Sequence, residues 1–199
     1  MQPFLFRIID ILTSLVGIIC GLPIIFAIYI VGLFDTGSPL FFQQRVGRNR
    51  KLFTLVKFRT MSINTDSVGT HLVDTTSITK IGSFLRKTKL DELPQLFNVL
   101  LGDMSLVGPR PCLSNQTELV EERDRRGVYK GCPGLTGLAQ VNDVDMSTPR
   151  KLARYDALMI NRMSIKLYVK LIINTLLGQG LGDRVIKHKV STSVQKNTS

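Results

Sequence analysis

No residue between Ile11 and Phe34 carries a charge. As one straight helix this run is about 36 Å long, enough to cross a bilayer core of about 30 Å. Pro23 falls at its centre, with Gly17 and Gly21 in the preceding turns. Proline lacks the N–H of an i to i−4 bond and clashes with the turn before it, so the pattern predicts a bend at Pro23. Each arm is then about 18 Å, too short to cross alone but long enough to enter and return. Basic residues flank the run on both sides, Arg7 before it and Arg45, Arg48, Arg50 and Lys51 after it, so charge gives no inside and outside. A re-entrant hairpin and a bent spanning helix both stay open. A cleavable leader does not fit, because the apolar run is too long and no small-residue cleavage site follows. Arg7 and Asp10 at the entrance are expected to pair with each other.

After the apolar run the pattern changes. Asp35-Thr-Gly-Ser-Pro39 reads as a turn. Phe41–Val46 and Leu52–Phe58 have strand composition around a basic turn, Gly47-Arg-Asn-Arg50, which predicts a β-hairpin over 40–58. Residues 64–79 are rich in Ser, Thr, Asp and Gly and read as a loop. Leu93, Leu96, Phe97 and Leu100 recur at helical spacing, with Pro94 at the start and Gly102 as the stop. One longer helix capped by Thr88 and kinked at Pro94 fits as well. Residues 117–126 form a helix so densely charged that a solvated face is expected. Gly131–Gly137 is a loop with three glycines and lacks the spacing of a dinucleotide fingerprint. Helices follow over 149–163, with Leu152, Tyr155, Leu158 and Met159 on one face, and over 165–177, where Lys166 and Lys170 interrupt an apolar pattern. The last helix suits the membrane interface and core packing equally. The fold class is mainly α with a small β-hairpin (α+β). Its parts are an anchor over 1–36, a catalytic domain over 37–186 and a polar tail over 187–199.

Composition narrows the chemistry. The 199 residues suffice for one domain, and the net charge of +11 suits an anionic partner. The mean hydropathy is +0.15 despite 21% charged residues, so apolar residues are concentrated, and the N-terminus is where. Cys20, Cys112 and Cys132 are scattered, and His71 and His188 are the only histidines, which argues against a structural zinc site or a disulfide framework. A nucleic-acid binder is not favoured: there is no tryptophan and no interleaving of aromatic and basic residues.

The candidate chemistry gathers in residues 89–111. Asp91 and Glu92 stand side by side near a helix start, whose positive end favours their ionised forms. Capping charges and catalytic carboxylates share this appearance. Arg86, Lys87 and Lys89 precede them and would attract a diphosphate. Pro109 and Pro111 fix the backbone around Arg110, as a phosphate-binding arginine requires. Asp103 and Glu92 are both candidate ion-pair partners for it.

These residues lie in long strings: Phe41-Phe-Gln-Gln-Arg-Val-Gly47, Lys57-Phe-Arg-Thr-Met61, Leu90-Asp-Glu-Leu-Pro-Gln-Leu-Phe-Asn98, Gly102-Asp-Met-Ser-Leu-Val-Gly-Pro-Arg-Pro111 and Pro133-Gly-Leu-Thr-Gly-Leu-Ala-Gln140. In this order, behind a Pro-broken apolar segment, they resemble the monotopic phosphoglycosyl transferases, the bacterial sugar transferase family, nearly end to end. The resemblance implies a re-entrant membrane helix broken at Pro23, interfacial amphipathic helices and a compact catalytic domain on the cytoplasmic face of the bacterial inner membrane. It implies transfer of a sugar-1-phosphate from a UDP-sugar to a polyprenol phosphate, with Mg2+ and release of UMP. Asp91 takes the family's nucleophile position and touches the metal, and Glu92 is its partner carboxylate. Arg110, Arg59 and Arg86 are the candidate phosphate contacts. Lys57, Pro109, Pro111 and Gln140 complete the expected substrate site. The expected partners are the donor, the lipid acceptor and membrane lipids, without nucleic acid; a homodimer stays open.

Three departures stand out. Leu22 replaces the serine many members carry before the central proline, and Asn142-Asp143-Val144 stands where many carry Gly-Arg after Gln-Val-Asn. Arg150 or Arg154 is then the candidate replacement contact. The N-terminal spans of larger relatives are not seen, which resembles the minimal form. The strings Asp145–Pro149 and Gly178–Val185 look like members that handle N-acetylated deoxy-amino sugars. An inactive membrane-anchored scaffold derived from the family is the alternative reading.

Overall fold

The computed structural model describes residues 4–63 and 77–179. The expected loop over most of 64–79, the polar tail and most of the Gly178–Val185 string lie outside them. Helix α1 runs over Phe4–Asp35 with Pro23 inside it. Proline there leaves the Ile19 carbonyl without its intrahelical donor. Phe6, Asp10, Ser14, Ile18 and Gly21 form one buried stripe at spacings of three and four. Leu12, Val16, Ile19, Leu22 and Phe26 on the other faces are exposed. By length and composition α1 is apolar enough to cross a membrane.

The entrance of α1 departs from the expected Arg7–Asp10 pair, because better partners lie in other elements. Arg7 donates to the carbonyls of Val99 (2.6 Å) and Leu100 (2.8 Å). These belong to the last turn of a short helix, where carbonyls lack intrahelical donors and a cation is favoured. Asp10 accepts from the Leu106 N–H at 2.9 Å and from the Tyr168 hydroxyl. Phe6 stacks on the Tyr168 ring with centroids 4.9 Å apart. Gly17 faces Leu96, whose Cδ1 would lie 3.1 Å from an added Cβ. The other end of α1 also meets the domain: Asp35 accepts from the Thr79 hydroxyl at 2.7 Å.

The hairpin forms as the pattern predicts. Strands β1 (Leu40–Val46) and β2 (Leu52–Phe58) pair antiparallel, from Leu40 opposite Phe58 to Val46 opposite Leu52. A 3-10 turn, Arg48–Arg50, joins them, with Asn49 (φ 53°) and Arg50 (φ 61°) in the left-handed region. Helix α2 spans Lys80–Thr88 and α3 spans Gln95–Leu101. Asn98 of α3 accepts from the Val56 N–H at 3.1 Å and donates to the Thr54 carbonyl at 2.8 Å, which fastens α3 along β2. The buried face of α3 is Gln95, Asn98 and Val99; Phe97 is exposed, contrary to its place in the predicted apolar set.

Strand β3 (Ser105–Val107) leads out of α3, and helix α4 spans Thr117–Arg125. Strand β4 (Gly134–Thr136) pairs with β3 in parallel, inside what the sequence presents as a glycine loop. A Cβ on Gly134 would sit 2.0 Å from the Gly108 nitrogen, so only glycine lets the two backbones approach this closely. Helices α5 (Leu138–Val141), α6 (Pro149–Asn161) and α7 (Ile165–Leu176) complete the domain. The predicted face of α6 holds for Leu152 and Met159, which are buried, and fails for Leu158, which is exposed.

The core joins Phe6, Phe53, Leu55, Val99, Met104, Val107, Met159, Tyr168 and Leu171, and a neighbouring cluster forms around Cys112, Leu119, Tyr129 and Leu152. Helix α4 is not simply solvated: Glu122 and Arg123 are buried in it. Helix α7 packs into the core with one face and leaves apolar residues exposed on the other. Tyr168 and Leu171 enter the core, while Ile165, Val169, Ile173 and Leu176 stay exposed beside Lys166 and Lys170.

Candidate active site

Three junctions place the carboxylates. Thr79 caps α2 by accepting from the Gly82 N–H at 2.8 Å. Lys89 then enters the left-handed region at φ 59° and ends the helix. The chain restarts as a 3-10 turn, Leu90–Glu92, passes Leu93 and Pro94 in helical geometry and continues as α3, which Gly102 stops at φ 98°. The single long helix capped by Thr88 is therefore excluded by Lys89, and Pro94 is the residue before α3. Asp91 and Glu92 sit in the corner between two helices, 1% and 8% exposed.

Candidate basic residues lie on, or just after, the elements packed against this turn. The 90–92 turn packs against α2 and β2. Gly82 has no room for a side chain, since a Cβ would lie 2.1 Å from the Thr60 carbonyl oxygen. This contact draws α2 onto the exit of β2, where the buried Arg86 donates from Nε to the Thr60 hydroxyl at 2.8 Å. Lys57, at the end of β2, and Arg59 lie over the Phe41 ring at 5.7 and 5.3 Å. Arg59 also donates to the carbonyls of Ser38 (2.9 Å) and Leu40 (3.4 Å), which organises the turn leaving α1.

Arg110, in the segment after β3, reaches Glu92. Its Nη2 donates to Glu92 Oε1 at 2.7 Å, so Glu92, and not Asp103, is its partner. The backbone beneath it is held residue by residue. The Pro109 carbonyl accepts from the Gly134 N–H (2.9 Å), that of Arg110 from Arg123 Nη1 (2.9 Å), that of Pro111 from Arg45 Nη1 (3.2 Å) and that of Cys112 from the Val46 N–H (2.9 Å). Arg45 in turn donates to Gln43 at 2.5 Å. Proline on both sides of Arg110 fixes φ, and these four bonds fix where the segment lies.

Gln140 bonds to the backbone ahead of its own helix and not to Asp91 or Glu92. Its Nε2 donates to the Leu135 carbonyl at 3.0 Å, and its Oε1 has no hydrogen-bond partner among the described residues. Gly137, just before α5, passes so close to the Gly108 carbonyl that a Cβ would lie 2.4 Å from it. Asp143 occupies the left-handed region at φ 54°, the conformation a glycine takes most readily and Asp tolerates. Arg150 pairs with Glu118 at 3.3 Å on an exposed surface.

Sequence reasoning missed Arg123. It pairs with Asp156 of α6, and both are 1% exposed. The available signal was spacing: Arg123 follows the buried Leu119 by one turn, on the same face. Nearby, burial first and then Cys112 push the Tyr129 hydroxyl pKa above its ordinary value, and the two side chains meet at 3.5 Å. Burial, then the hydrogen bond to Asp10, do the same to Tyr168.

The arrangement offers a buried carboxylate, Asp91, beside a second carboxylate paired with an arginine. Such a set suits attack on a phosphorus already bearing negative charge, where positioning and neutralisation do most of the work.

Known proteins of similar sequence are described as sugar or phosphosugar transferases. The bacterial sugar transferase family matches residues 1–179. The uncharacterized sugar transferase EpsL of Bacillus subtilis is 42% identical over 173 residues, spanning 85% of this chain and 84% of that protein. The undecaprenyl-phosphate galactose phosphotransferase of Salmonella typhimurium is 42% identical over 166 residues, 73% of this chain and 34% of that protein. The UDP-glucose:undecaprenyl-phosphate glucose-1-phosphate transferase of Xanthomonas campestris is 39% identical over 174 residues, 79% of this chain and 35% of that protein. The chain thus spans about a third of the length of these last two relatives.

Proposed function

This chain belongs to the bacterial sugar transferase family, and from that premise we propose that it transfers a sugar-1-phosphate from a UDP-sugar to a polyprenol phosphate at a membrane surface. The observation that carries the reading is the Glu92–Arg110 pair at 2.7 Å, beside the buried Asp91. An Asp91 oxygen attacks the sugar-bearing phosphorus, the bond to the bridging oxygen breaks, and UMP leaves with that electron pair. The sugar phosphate remains on Asp91 as an acyl phosphate. A phosphate oxygen of the polyprenol acceptor then attacks the same phosphorus, the bond to Asp91 breaks, and the polyprenyl diphosphate sugar departs. Splitting one displacement into two is the usual advantage of a covalent intermediate. In this reading Arg110 binds phosphate oxygens, and Glu92 holds it and orients the acceptor phosphate.

Mg2+ fits the donor set. Among the described residues no three metal-ligating side chains cluster. Mg2+ is commonly held by one or two carboxylates, with phosphate oxygens and water supplying the rest. Asp91, beside Glu92, is the residue to hold it, and when bound it would neutralise diphosphate charge.

The membrane arrangement is part of the same reading. Arg7 and Asp10 tie the start of α1 to the catalytic domain, and Asp35 ties its end to the same domain. We take both ends of α1, each tied to one body, to lie at one membrane face, as re-entry from the cytoplasmic side requires. The exposed apolar residues of α7, with Lys166 and Lys170, suit the headgroup region beside it. The strings near the C-terminus favour an N-acetylated deoxy-amino sugar on the donor.

The test is UMP release by the chain in detergent or lipid, with undecaprenyl phosphate, Mg2+ and a panel of UDP-sugars. The expected result is release that depends on both additions, and a sugar-phosphate mass on Asp91 when the acceptor is withheld. No UMP from any donor would favour the scaffold alternative; full activity in Asp91→Asn would sink the covalent mechanism.

A further inference from the structure

Arg123 is the most deeply buried arginine among the described residues, and nothing in the phosphoryl chemistry uses it directly. Its guanidinium faces two ways. Nε and Nη2 approach Asp156 Oδ2 at 2.9 and 2.8 Å, and Nη1 donates to the Arg110 carbonyl at 2.9 Å. The side chain of that same Arg110 meets Glu92 at 2.7 Å. One line of contacts therefore runs from Asp156 in α6 through Arg123 in α4 and the main chain of Arg110 to the carboxylate next to Asp91.

A buried ion pair is a poor device for merely joining two helices. Its desolvation offsets most of its attraction, and apolar residues of similar volume often serve as well or better. What apolar residues cannot do here is donate to the Arg110 carbonyl. Arginine is suited to that double duty: its fork is rigid and permanently charged, and its donors are fixed in direction. Asp156 accepts from Nε and pairs with the guanidinium charge, and so fixes the direction of Nη1. The neighbouring carbonyls of Pro109, Pro111 and Cys112 are each held by a donor on β4 or β1. Arg123 is the donor to the carbonyl of the phosphate-binding residue itself.

We propose that Arg123, braced by Asp156, is the positioning residue that sets where Arg110 stands against Glu92. This rests on the transferase reading. Misplacing a charged contact by about 1 Å commonly lowers a rate by about a hundredfold, so the effect belongs in turnover.

The test compares UMP release and thermal melting for the parent, the double variant Arg123→Leu/Asp156→Leu, and Arg123→Lys. Each Arg123 change is also made in an Arg110→Ala background, with UDP-glucose, UDP-galactose and UDP-N-acetylgalactosamine as donors. The double variant is expected to melt close to the parent while kcat falls roughly tenfold to a hundredfold, with KM for the donor nearly unchanged. Arg123→Lys keeps the charge opposite Asp156 but not the fork, and loses kcat as well. In the Arg110→Ala background neither change lowers activity further, because the residue they position is gone. A folded Arg123 variant with parental kcat, or the same fractional loss in both backgrounds, overturns the proposal and leaves the transferase reading standing. A parent chain that releases no UMP from any of the three donors removes that reading, and this inference with it.

Discussion

The hydroxyl of Thr79 donates to Asp35 at 2.7 Å while its oxygen accepts from the Gly82 N–H at 2.8 Å. One side chain thus joins the last turn of α1 to the first turn of α2, the helix that carries Arg86. Losing an N-cap hydroxyl costs about 1 kcal/mol. Thr79→Val should therefore lower the melting temperature and expose the α2 amides to faster hydrogen exchange. Asp35→Asn, which leaves the cap in place, should lower it less. Equal losses from both would mean that the cap carries none of the effect.

The Glu92–Arg110 pair leads to a second expectation. Both side chains are largely shielded, so removing Arg110 leaves a carboxylate without this partner at a site where it is poorly solvated. Arg110→Ala should reduce UMP release by about a hundredfold or more. Arg110→Lys should restore little, because an ammonium lacks the planar fork that engages carboxylate and phosphate together. Steady-state kinetics on the three proteins checks this; a lysine variant at parental rate would show that charge alone suffices.

A pH effect follows from Tyr168. Burial and its bond to Asp10 raise its hydroxyl pKa in the folded protein, against about 10 in the unfolded chain. Between those values the folded state keeps a proton that the unfolded state loses, so stability falls as pH rises. The contribution is fully present below about pH 10 and is lost progressively above it. Melting curves at rising alkaline pH should fall more steeply for the parent than for Tyr168→Phe. Parallel curves would mean that this hydroxyl does not contribute.

Metal removal separates chemistry from folding. No protein-only cluster of three ligating side chains occurs among the described residues. EDTA should abolish UMP release, Mg2+ should restore it, and the melting temperature should barely move. A large loss of stability on chelation would reveal a structural metal instead.

The sequence made some features legible because local rules decide them. An uncharged run must be a long apolar helix, and alternation around a basic turn gives the hairpin. Gly102 stops α3 because a left-handed residue is needed there. Other features depend on partners far away in sequence. Arg7 and Asp10 look like a local pair, yet their partners lie at Val99, Leu100, Leu106 and Tyr168. Strands β3 and β4 have three residues each, too few to show alternation, and their closeness shows only in the clash a Cβ on Gly134 would make. Arg123 hides in a charged helix because polarity alone reads it as solvent-facing, whereas Asp156 and the Arg110 carbonyl bury it. Of the candidate site, the closeness of Asp91, Glu92 and Arg110 along the chain could be read in advance. The pairing of Arg110 with Glu92 could not, because Asp103 was an equal candidate.

A rod pinned at both ends to the body that bears Asp91 cannot swivel independently. Wherever α1 is anchored, the distance of Asp91 from that anchor is set by these same ties.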